Sequence, residues 1–188
     1  EHRASVQLEG NVALEAGLDA VARALRDEGV PAGGVDRIAV GIGPGGFTGL
    51  RIAISYAKSL AFAWRVPLVG ISSFDLLEYR LNLPRALAVV GGRAGIISAR
   101  YRDGESFARA SGLIADVLDA VLPGRNDEPL PVVGAPQDAR SALGERACSV
   151  TYYEPLVTPP AAAAALVGGE RTADASPHAV RADYGEAP

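Results

Sequence analysis

The chain is short of most residues that advertise chemistry. Cys148 is the one cysteine in 188 residues, so neither an intrachain disulfide nor a cysteine metal cage can form, which suits a reducing cytosol. Its ordinary reading is a small, buried or half-buried side chain. The two histidines, His2 and His178, stand near opposite ends with no neighbouring ligand, and both read as solvated. No Ser-His-Asp arrangement is supported either. Lys58 is the single lysine and the arginines are scattered, so no basic stripe exists for unaided nucleic-acid binding. Any role near nucleic acid is left to a partner. No run of about 18 apolar residues occurs, which argues against a membrane-spanning helix. No secretory signal opens the sequence, and a cytoplasmic location is expected. Methionine is absent and Glu1 stands first, so Glu1 is not expected to be the N-terminus as translated, whether residues before it were removed or are simply not given.

What the chain does have is an ordinary globular composition, 48% hydrophobic with a net charge of −4, and 22 glycines. The most informative glycines fall in Gly41-Ile-Gly-Pro-Gly-Gly-Phe-Thr-Gly-Leu-Arg51, between the apolar run at 37–40 and a helical pattern over 48–64. A glycine turn from strand to helix invites an anion, because backbone N–H groups at a helix start point outward there. Two nucleotide templates nearly fit. Gly41-x-Gly43-x-x-Gly46 matches the dinucleotide fingerprint, but Ser72-Ser73 end the next strand where the ribose-binding acid belongs. Asp75 comes too late and opens a helix. The P-loop template places Phe47 where lysine must sit. The simplest reading of Gly43, Pro44, Gly45, Gly46, Phe47, Thr48 and Gly49 is a bend that lets the following helix pack closely, with Thr48 as its cap. Anion binding in a pocket shared with a partner and direct partner contact are the other two readings.

Along the chain, residues 4–8 read as an edge strand and 11–28 as a helix capped by Asn11. After the turn and the 48–64 helix come a strand at 66–71 and a helix at 74–80, an α-β-α-β-α order that signals a crossover-connected parallel sheet. Leu83-Pro84-Arg85 marks a boundary. Beyond it, strands are expected at 86–90, 95–101, 131–134 and 148–153, with a hairpin turn at 102–105. Helices are expected at 112–122, 137–144 and 161–167, and the last twenty residues read as a tail. The 48–64 helix is apolar over Leu50, Ala53, Ile54, Ala57, Leu60, Ala61 and Trp64 and elsewhere on its circumference, so cover on two sides is expected. Arg51, Ser55, Lys58 and Phe62 form one stripe along it, mixing charge and an aromatic as interface rims do. Arg51 reads equally as partner-facing or as solvated.

Asp36-Arg-Ile-Ala-Val-Gly-Ile-Gly-Pro-Gly-Gly-Phe-Thr-Gly-Leu-Arg-Ile-Ala53, then Ala57-Lys-Ser-Leu-Ala61 and Val66-Pro-Leu-Val-Gly-Ile-Ser-Ser73, closely resemble the TsaB family, also called YeaZ. The match is strong over 36–77, weaker over 86–104, and beyond 105 is little more than order of elements. The resemblance implies an α/β fold of actin/Hsp70-like (ASKHA) architecture with two ribonuclease-H-like lobes, here 1–83, incomplete at its start, and 84–188 with a terminal helix and tail. It implies a non-catalytic partner of TsaD, the transferase that makes threonylcarbamoyladenosine at position 37 of tRNA, in an assembly that also engages the ATPase TsaE. Homodimerisation of the isolated chain is implied through the helices at 11–28 and 48–64, so Leu14, Leu18, Arg51, Ile54, Ser55, Lys58 and Phe62 are the expected partner-facing residues. No cofactor, catalytic residue or metal is expected. TsaD-like relatives hold a metal with a His-x-x-x-His pair that this chain lacks, and the glycoprotease-like (M22) label of the superfamily finds no support in its residues.

The chain departs from the family in three places. Gly46 replaces the usual serine. Val90-Gly-Gly-Arg93 carries no carboxylate where nucleotide-using relatives have one. The opening strand hairpin with its Asp-Thr/Ser phosphate motif is not found, so either about 20 to 40 further residues are expected at usual strand and turn lengths, or a truncated first lobe. The alternatives are a weak actin- or sugar-kinase-like ATPase and a structural dimer outside tRNA modification.

Overall fold

The computed structural model describes Val6, Leu8 and residues 13–93, 95–122, 128–146, 149–156, 160–174 and 176–185. The edge strand read at 4–8 lies mostly outside these residues, as do the Asn11 cap, His2 and Cys148. The described residues form two compact units. The first holds Glu1–Ile42, Phe47–Ser72 and Val157–Ala182; the second holds Gly43–Gly46, Ser73–Leu156 and Asp183–Pro188. These units follow the chain differently from the lobes 1–83 and 84–188 drawn from the sequence, because the segment after residue 156 returns to the first unit.

In the first unit, α1 (Ala13–Asp27) precedes β1 (Ile38–Gly43), α2 (Phe47–Trp64) and β2 (Leu68–Ser72), and β1 pairs with β2. Glu15 in the first turn of α1 and Arg26 in the last complement the helix dipole. Gly29, at φ 65°, closes α1 with a double cap in which its own N–H donates to Arg26 O and that of Val30 donates to Leu25 O. The end of α2 repeats this geometry without a glycine. Arg65 takes φ 57° while its N–H and that of Val66 donate to Phe62 O and Ala61 O. The core of this unit gathers Ile54, Ala57 and Ala61 of α2 with Val40, Leu68 and Val180. One long apolar helix thus buries a single narrow stripe on its sheet.

The last helix, α6 (Pro160–Glu170), runs straight through Gly168-Gly169, where the sequence reading ended it. The Arg37 guanidinium receives its C-terminus, donating to Gly168 O at 2.7 Å and to Arg171 O. The chain beyond it is no tail. The Asp174 carboxylate accepts from the Gly70 N–H at 3.1 Å, the Asp174 N–H donates to Leu68 O at 3.2 Å, and Val180 is 3% exposed in the core. A polar segment with one well-placed valine has little apolar content, yet Asp174 ties it to β2 through both its backbone N–H and its carboxylate.

The second unit is built on a five-stranded mixed sheet ordered β5-β4-β3-β6-β7. Its strands are β3 (Arg85–Gly91), β4 (Ile96–Asp103), β5 (Ser106–Leu113), β6 (Leu130–Val133) and β7 (Val150–Tyr153). The first three are antiparallel and the last two join in parallel. One face carries α4 (Ile114–Val121) and α5 (Gln137–Arg146), with Leu87, Val89, Ile97, Leu118, Val132 and Leu143 among the fully covered core. β5 has no counterpart in the sequence reading. Its residues, Ser-Phe-Ala-Arg-Ala-Ser-Gly-Leu, are small or polar and carry little strand propensity; the two-residue turn at Gly104-Glu105 and the eight-residue ladder with β4 make it a strand. Asp75 lies in α3 (Ser73–Glu78), where Arg100 meets Asp75 at 2.7 Å and Glu78 at 3.2 Å.

Candidate partner-binding face

The helix pair of the first unit leaves apolar surface uncovered. The Tyr56 hydroxyl donates to Leu14 O, and the ring of Tyr56 lies over Gly17, where a side chain on α1 would collide with it. This fixes α1 against the flank of α2 formed by Tyr56, Leu60 and Trp64. A groove of about 390 Å³ follows the seam, lined chiefly by Leu18, Val21, Leu25, Val30, Leu60 and Trp64. Leu14 is 59% exposed, Leu18 44% and Val21 38%. Leu14 and Leu18, two of the residues expected to face a partner, are thus open to solvent together with Val21.

On α2, Arg51, Ser55 and Phe62 are exposed and Lys58 is half-buried, so the predicted stripe lies on one accessible side. Phe62 is the most exposed large apolar side chain of the described residues at 77%. The Arg51 guanidinium sits 5.1 Å from the centre of the Phe47 ring, itself half exposed, and the Lys58 ammonium reaches the His178 carbonyl at 3.5 Å. Ile54 is a correction to the expected set. It is 6% exposed and packs inward, because it falls about 60° around the helix from Arg51, on the side that meets the sheet. Phe47 and Val21 belong to the exposed apolar set and were absent from the expected one. The i, i+4 step from Phe47 to Arg51 is the sequence signal that places Phe47 on the stripe.

The glycine turn is structurally divided. Gly41, Ile42 and Gly43 are the end of β1, Gly43 takes φ 108°, and the bond to Pro44 is cis, with Gly43 and Pro44 buried. Gly45 is half-buried, and Gly46, Phe47, Thr48 and Gly49 are exposed. Because α2 begins at Phe47, Thr48 lies inside the first turn and is not the cap; Gly46 occupies that position. Among the described residues no three His, Cys, Asp or Glu side chains converge as metal ligands.

Residues 14–153 match the family model described as TsaD, tRNA N6-adenosine threonylcarbamoyltransferase. The chain belongs to the TsaD family. An uncharacterized protein of Mycobacterium leprae is 32% identical over 121 residues, covering 64% of this chain and 32% of its own length. A tRNA N6-adenosine threonylcarbamoyltransferase of Aeropyrum pernix is 35% identical over 115 residues, covering 56% of this chain and 33% of its own length. The chain spans from about a third to about a half of these and the other mycobacterial relatives it matches. The fold is that of YeaZ from Pseudomonas aeruginosa, superposing with a TM-score of 0.69 at 20% identity over 95% of this chain and 86% of that one. A second structure from the same organism, described as similar to peptidase YEAZ, gives the same TM-score at 22% identity. The fold class read from the sequence, α/β with ASKHA architecture, is therefore the one observed, and the TsaB resemblance carried by residues 36–77 is consistent with both family and fold.

Proposed function

We propose that this chain is a non-catalytic partner subunit of the TsaD transferase, and that it supports threonylcarbamoylation of tRNA at position 37 by presenting the α1–α2 face. The observations that carry this reading are two exposed apolar sets on a member of the TsaD family: Leu14, Leu18 and Val21 on α1, and Phe62 beside Arg51 and Ser55 on the side of α2 turned away from Leu60 and Trp64. Exposed large apolar side chains with polar neighbours are what a docking face presents. The chain lacks a histidine pair of the kind TsaD-like relatives use, since His178 is far in sequence from His2. In this reading the same face forms a homodimer when TsaD is absent, TsaE joins the assembly, tRNA is met through the complex in the cytoplasm, and the protein holds no cofactor of its own.

Sedimentation of the chain alone and mixed with purified TsaD tests the proposal. Association with itself and with TsaD is expected, and Phe62→Glu is expected to abolish both while leaving the melting curve unchanged. Undiminished association of the variant would exclude this face.

A further inference from the structure

The C-terminal segment of the second unit fills a small polar notch on its sheet. Ser98 of β4 and Ser111 of β5 are cross-strand partners whose hydroxyls hydrogen-bond at 2.7 Å, and Ser98 is 8% exposed. Gly185 sits against this pair. A Cβ on it would stand 2.5 Å from Ser111 Oγ and 2.6 Å from Ser98 Oγ, and its φ of 81° is one that side chains resist. Two residues earlier, Asp183 Oδ1 accepts from the Arg109 guanidinium at 2.5 Å and from the Gly185 N–H at 3.0 Å. The segment is thus an Asp-x-Gly turn whose carboxylate and missing side chain both match what lies beneath it.

The sheet itself explains the need for the carboxylate. Arg100 and Arg109 are directly opposed across β4 and β5, and like charges in that relation repel. Arg100 is neutralised from α3 by Asp75 and Glu78. Arg109 lies 5.4 Å from the centre of the Phe74 ring, and Asp183 is its carboxylate partner among the described residues. Burial pushes the Asp183 carboxyl up, but hydrogen bonds from Arg109 and the Gly185 amide, with the Arg109 charge, outweigh it and hold it below the ordinary value.

We propose that Arg109, Ser98 and Ser111 form a recognition site for an acidic Asp-x-Gly turn, filled in cis by Asp183-Tyr184-Gly185 and open, once that segment leaves, to the same turn on a partner polypeptide. The cis segment keeps the site closed, because its effective concentration exceeds that of a competing chain. The notch selects on two counts: a carboxylate to answer Arg109, and a residue without a side chain over the two hydroxyls.

The test uses the full chain and a fluorescein-labelled peptide copying residues 180–188. Gly185→Val should expel the cis segment by collision, and Asp183→Ala, which alters no core residue, should release it by removing its anchor. Fluorescence anisotropy is expected to show both variants binding the peptide at least about tenfold more tightly than the unaltered chain, in line with removal of a competing closed state. A peptide with asparagine in place of the aspartate, and Arg109→Ala placed in the Asp183→Ala chain, should each lose that gain. Equal peptide binding by the unaltered chain and Asp183→Ala, or equal binding of the aspartate and asparagine peptides, would overturn the proposal.

Discussion

Ile54 and Phe62 lie eight residues apart on one helix, yet they are expected to fail in opposite ways. Ile54→Ala removes three carbons from the core with Val40, Leu68 and Val180. At about 0.8 kcal/mol per buried carbon this costs about 2.4 kcal/mol in transfer free energy. Packed surroundings relax only in part around a deleted side chain, and a cavity term brings the total to roughly 3–4 kcal/mol. For a chain of this size that lowers the melting temperature by roughly 10 °C. Phe62, at 77% exposure, makes little of its own fold, and Phe62→Ala should change stability by less than about 0.5 kcal/mol. At a docking face, however, a central aromatic contributes about 2 kcal/mol or more, so the same substitution should weaken association about thirtyfold. Thermal denaturation by circular dichroism, paired with sedimentation equilibrium, separates the two. Melting of Phe62→Ala as low as that of Ile54→Ala, or an Ile54→Ala melt within a degree of the unaltered chain, would refute the division of α2 into an inner and an outer side.

Three further outcomes follow from local geometry. Gly46→Ser puts a hydroxyl at the cap position of α2, where a Cβ meets nothing within 4 Å, and should raise stability by a few tenths of a kcal/mol in denaturant titration; a loss above about 1 kcal/mol would contradict the cap assignment. Arg65→Gly relieves a left-handed residue at the end of α2 and should stabilise by about 0.5–1 kcal/mol in the same titration, whereas no gain would mean that the Arg65 side chain compensates its backbone. Asp183 titrates lower in the folded than in the unfolded chain, so the unfolded chain takes up the proton first and the stabilisation from its pairing with Arg109 is complete at neutral pH. It should disappear as the pH falls below about 4 and through the folded value, and the stability difference from Asp183→Asn, followed against pH, should vanish there; a difference that persists at the lowest pH would contradict the ion pair.

Much of this was legible in the sequence because it is written locally. The strand, glycine turn and helix around Gly43–Gly49 each carry their own signal, and the structure departs from that reading by about one turn residue. Three features needed tertiary context. β5 forms because β4 offers it a complete ladder, and no periodicity in Ser-Phe-Ala-Arg-Ala-Ser-Gly-Leu announces it. Arg171 and Asp174 are held by Arg37 and Gly70, and Asp183 by Arg109, residues remote in the chain, so low apolar content was a misleading guide. On α2 the apolar residues cover most of the circumference, which hides the narrow inner stripe that separates Ile54 from Phe62.

Reconstituted tRNA modification tests the partner role most directly. Purified TsaD and TsaE, with a threonylcarbamoyl donor, ATP and unmodified tRNA, are assayed for threonylcarbamoyladenosine with this chain present, absent, or carrying Phe62→Glu. Product that requires the chain and falls with the variant is the predicted result. Product formed equally well without the chain would contradict the partner role.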